Sequence, residues 1–79
     1  MEQDFYKDFT LLQEACKKRF KSFDISTTFE QEEEEISFSC AVHAYQDEGG
    51  ECYTVIEKYG MDAIKHALSY LICNVEVLP

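Results

Sequence analysis

Apolar residues recur at Phe5, Phe9, Leu12, Cys16, Phe20 and Phe23, in steps of three and four that hold one face of a helix apolar. The spacing therefore predicts a first helix over this stretch. Its charges agree, with Glu2, Asp4 and Asp8 near the start and Lys17, Lys18, Arg19 and Lys21 near the finish, each sign favoured there by the helix dipole. Asp4 is the expected N-cap.

After Asp24 the period changes to two. Ile25, Thr27 and Phe29 alternate with Ser26, Thr28 and Glu30, which predicts a first strand. Ile36, Phe38, Cys40, Val42 and Ala44 alternate with Ser37, Ser39, Ala41, His43 and Tyr45, a second strand whose first set is expected to face the core. A third strand is expected from about Glu51 to Lys58. Gln31 to Glu35 between the first two strands is read as a solvated loop, because its four consecutive glutamates repel one another. Gln46 to Gly50 is read as a hairpin turn, with Gly49 and Gly50 supplying positive φ. Gly60 breaks the third strand, and Met61, Ile64, Leu68, Leu71 and Ile72 predict a second helix to about Cys73, ended by Asn74. Val75 to Val77 is a candidate short final strand.

The expected fold is thus α+β: helix, three-stranded antiparallel meander, helix and a possible short C-terminal strand, with both helices on one sheet face. Seventy-nine residues leave room for a single compact domain spanning 1–79. With 46% hydrophobic and 14% aromatic residues, three Gly and one Pro, the composition is that of an ordered chain.

Charge changes the functional expectation. Residues 1 to 21 carry four acids (Glu2, Asp4, Asp8, Glu14) against five bases (Lys7, Lys17, Lys18, Arg19, Lys21). The rest of the chain carries twelve acids against Lys58 and Lys65, so nearly all of the net charge of -9 arises there. Direct nucleic-acid binding is disfavoured, since Lys and Arg on phosphate supply most of its affinity. A protein with a basic surface is the better partner. No apolar run approaches the roughly 20 residues that span a bilayer, and Met1 to Asp8 lacks a secretory pattern. The expectation is no membrane and a cytoplasmic location, the host cytoplasm if the protein is phage-encoded.

The element order resembles that of the double-stranded RNA-binding domain, in topology alone. That family carries basic residues at the start of its last helix; here Gly60 to Lys65 offers one lysine near Asp62, which argues against RNA. In size, acidity and α+β build the chain is similar in type to small phage-encoded anti-CRISPR and anti-restriction proteins.

Cys16, Cys40, Cys52 and Cys73 form no Cys-x-x-Cys pair and have no His at zinc-finger spacing. Cys16 and Cys40 are expected in the core, and Cys52 as the most exposed and reactive thiol. His43 and His66 have no sequence neighbour that suggests a triad. Glu32 to Glu35 lack the spaced Asp and Gly of a calcium loop. No catalytic residue, cofactor or metal is assigned. The leading expectation is a non-catalytic acidic protein-binding module, with an inhibitor docking on a nucleic-acid-binding site as its sharper form. Its contacts are assigned to Glu30, Glu32, Glu33, Glu34, Glu35, Tyr45, Asp47, Glu48, Glu51 and Tyr53, and Glu57 and Glu76 enlarge the negative surface if they share a face. The alternatives are an assembly protein, so that the chain is a monomer or a homodimer, and a small cysteine-dependent enzyme.

Overall fold

A computed structural model of the chain describes residues 2–47 and 53–78. Five elements follow in order: helix α1 (Glu2–Arg19), strands β1 (Ser22–Glu32), β2 (Glu35–Tyr45) and β3 (Tyr53–Tyr59), and helix α2 (Ala63–Asn74). The strands form one antiparallel sheet in the order β1-β2-β3, and the helices pack on it, so the α+β meander expected from the pattern is present.

Helix α1 buries Leu12, Ala15 and Cys16 and half-buries Phe9, the stripe its spacing predicts. It ends four residues earlier than the periodicity suggests. The Phe20 amide makes the last helical bond to Cys16 O (2.9 Å), and the Lys21 amide donates instead to Tyr45 O (2.9 Å), at the end of β2. Phe23 fits both a helical and a two-residue period; capture by the sheet places it in β1, beside Ile25 on the core side. Asp4 lies inside α1 rather than at its N-cap, because the helix begins at Glu2.

The loop expected at Gln31 to Glu35 is a correction of a different kind. Strands β1 and β2 pair as far as Glu32 opposite Glu35, leaving a two-residue turn of Glu33 and Glu34, with Glu33 at φ 54°. Side chains at such a tip point into water, so their repulsion does not prevent backbone pairing. Each 11-residue strand reaches about 36 Å, against about 27 Å for the 18 residues of α1. The hairpin therefore outruns the layer above it. Ile36, expected in the core, is 63% exposed for that reason, and Phe29 is 61% exposed although its ring lies 4.7 Å from that of buried Phe38.

Strand β3 begins at Tyr53, and the expected turn at Gly49 and Gly50, with Glu48, Glu51 and Cys52, lies outside the described residues. It ends at Tyr59, just before Gly60, whose φ of 99° is open to glycine at little cost. Helix α2 starts two residues after Met61, which is 67% exposed, and buries Ala63, Ile64, Ala67 and Leu71 while Ile72 faces outward. The two small alanines allow close approach to the layer beneath.

The helices run in the same direction. Lys65 meets Asp8 (3.9 Å) near their starts, and the chain after α2 meets the end of α1. Val75 to Val77 form no strand. The Leu78 amide donates to Lys18 O (2.9 Å), and the buried Arg19 donates from Nε to Val75 O (2.9 Å) and from Nη1 to Ala15 O (3.1 Å). These carbonyls offer the tail and the helix end partners that a fourth strand would otherwise supply.

Candidate docking face

Because both helices lie on one side, alternation sends every second residue of each strand to an uncovered side. Register arranges these residues in rows across the sheet: Ser22, Tyr45 and Tyr53; Asp24, His43 and Val55; Ser26, Ala41 and Glu57; Thr28, Ser39 and Tyr59. Beyond β3 the rows continue on the two-stranded arm as Glu30 with Ser37 and Glu32 with Glu35. Successive rows are about 6.5 to 7 Å apart.

The two ends differ in chemistry. At the end near the body's base, the Tyr45 and Tyr53 rings lie 4.8 Å apart at 34°, and Tyr53 Oη is hydrogen-bonded to His43 Nδ1. Tyr53 stays 50% exposed, so a fixed aromatic surface meets solvent. The middle rows have a low floor of Ser26, Ala41, Thr28 and Ser39, bordered on β3 by Tyr59, whose Oη donates to Glu57 Oε2 (2.9 Å). That bond and the Glu57 charge hold the Tyr59 phenol above its ordinary pKa. At the arm, Glu30, Glu32 and Glu35 face the same side, with Glu33 and Glu34 at the tip.

Asp24, Glu30, Glu32, Glu35 and Glu57 thus share a face on which the described residues place no Lys or Arg. Of the ten residues singled out in the sequence, Glu30, Glu32, Glu35, Tyr45 and Tyr53 lie on this face, and Glu33 and Glu34 cap its arm. Asp47 sits past the other end of β2, half-buried, so the two acidic connections are at opposite ends of that strand, as the hairpin arithmetic implies. Glu48 and Glu51 are outside the described residues, and Glu76 belongs to the tail near α2. Asp24, His43, Val55 and Tyr59 are missing from the sequence-based set. Asp24 becomes legible once β1 is known to begin at Ser22, since it then alternates with Phe23 and Ile25.

The thiols lie elsewhere. Cys16, on the inner side of α1, and Cys40, on the covered side of β2, are both buried in the core. Burial pushes the Cys16 thiol up to about 11, with Cys40 nearby adding to the effect and the Arg19 charge opposing it; burial also raises Cys40. Both are held protonated near neutral pH, the reverse of thiol activation. Cys73 is exposed on α2. Among the described residues no group of three or more His, Cys, Asp or Glu side chains converges as a metal site, and no helix is long and apolar enough to cross a membrane.

No protein-family model matches the chain, and no curated protein or solved structure matches it.

Proposed function

We propose that this chain is a non-catalytic acidic protein-binding module that lays its open sheet face on a basic surface of a larger cytoplasmic protein. The observation that supports it most is the gathering of five carboxylates and three tyrosines, Tyr45, Tyr53 and Tyr59, on a face without Lys or Arg among the described residues. Carboxylates steer a basic partner and fix its register, and tyrosines bring contact area with a polar tip.

The protruding arm favours a narrower form of the same reading. A two-stranded acidic finger, exposed on both sides from Phe29 to Ser37, is shaped to enter a basic groove, as an inhibitor of the phage-encoded type would enter a nucleic-acid-binding channel. The test is capture from the native cytosol on the immobilised protein and on a Glu30→Gln, Glu32→Gln, Glu35→Gln variant. A basic protein retained by the native chain, lost from the variant and released by salt supports the reading. Equal recovery on both columns removes it.

A further inference from the structure

The kind of cation the open face accepts follows from what lies beside its carboxylates. We infer that the face selects arginine over lysine, taking the guanidinium of an arginine-bearing partner segment onto the Tyr45–Tyr53 pair; this rests on the docking reading above. Asp24 stands one strand over and one row along from Tyr45, within reach of a side chain lying on that ring. A guanidinium is planar and weakly hydrated, so it stacks on an aromatic face while forking its N–H groups to a carboxylate. An ammonium is a compact, strongly hydrated point charge that gains much less from the rings.

Three features prepare the site for such a group. The rings are packed on each other, and the Tyr53 hydroxyl is tied to His43, so little side-chain freedom remains to be lost. The next rows are floored by Ser26, Ala41, Thr28 and Ser39, which leaves room for the partner's backbone to approach. Glu57 and the arm carboxylates continue along the same face and receive further positive charge from the same segment.

The experiment uses the whole chain and two synthetic peptides of equal length, spacing and charge, one of alternating Arg and Ser, the other of alternating Lys and Ser. Affinities are measured at low salt by calorimetry, with amide and aromatic NMR shifts locating the contact. The expected result is an arginine preference of about tenfold, with shifts centred on His43, Tyr45 and Tyr53. Tyr53→Leu should lower the arginine affinity severalfold more than the lysine affinity and so narrow the preference, whereas Tyr53→Phe, which keeps the ring, should retain it; an unchanged preference in Tyr53→Leu overturns the arginine selection. Equal affinities in the native chain, or shifts confined to the helices, overturn the arginine selection while leaving acidic docking standing. Binding of neither peptide overturns both.

Discussion

Glu32 and Glu35 face each other as the last pair of the β1–β2 ladder, closing a turn that holds Glu33 at φ 54°. Like charges directly opposite on a sheet oppose pairing by about 0.2 to 1 kcal/mol. Glu35→Lys should therefore stabilise the arm by about 0.5 to 1 kcal/mol in urea unfolding, and the gain should shrink in about 1 M salt, where the screening length is about 3 Å. Glu33→Gly should also stabilise, since glycine adopts that φ without a Cβ clash.

Arg19 is the group whose loss should be felt most widely for one surface-element residue. Its two hydrogen bonds satisfy Ala15 O and Val75 O, and it is only 9% exposed. Arg19→Met keeps the apolar stem and the helical backbone bond to Ala15 O but leaves Val75 O without this donor, a cost of about 1 to 3 kcal/mol. For a chain of this size the melting temperature should fall by roughly 4 to 8 °C per kcal/mol. Hydrogen exchange should rise first at the Leu78 amide, which bonds beside it.

Stability should fall in alkali through Cys16. Its folded pKa of about 11 exceeds the unfolded value of 9.0, so the folded state holds its proton over that interval while the unfolded state releases it. The contribution is fully present below 9.0 and is lost as pH rises through about 11. The loss is on the order of 3 kcal/mol at most. Urea midpoints across this range should decline less steeply for Cys16→Ala, which starts lower because of the cavity it leaves. A slope unchanged by the substitution would show that other groups cause it.

Phe38 and Ile36 sit two residues apart on one side of β2, and their substitutions should differ severalfold in effect. Phe38 is 1% exposed, so Phe38→Ala should cost about 3 to 5 kcal/mol. Ile36→Thr, on the uncovered arm, should change stability by less than about 0.5 kcal/mol. Comparable losses at both positions would mean that the arm is covered in solution.

That contrast also shows what the residue pattern can convey. Alternation from Ile36 to Ala44 reports which side of a strand each residue takes, and β2 bears it out. It does not report whether anything covers that side, which depends on how far the helices reach. Ala63 and Ala67 are buried, yet a reading weighted toward large apolar residues passes over them. Glu32 to Glu35 look like a loop because charge dominates the sequence there, whereas the backbone pairs on both sides of a turn too short for charge to prevent it. The open face was partly legible, through Tyr45, Tyr53 and the glutamates; its missing member Asp24 depended on where helix gave way to strand, a choice made by the Lys21 bond to Tyr45 rather than by local preference.

The side-by-side placement of α1 and α2 has a consequence for a chain still being synthesised. Arg19 and the carbonyl it holds at Val75 are separated by 56 positions. At roughly 5 to 20 residues per second, about 3 to 11 s pass between their polymerisation. Throughout that interval the apolar residues of α1 that pack against α2 lack that cover. The nascent chain thus carries a transient apolar stripe on its first helix, flanked by Lys17, Lys18 and Lys21, and those charges are well placed to keep it apart from its neighbours on the same message until the last helix arrives.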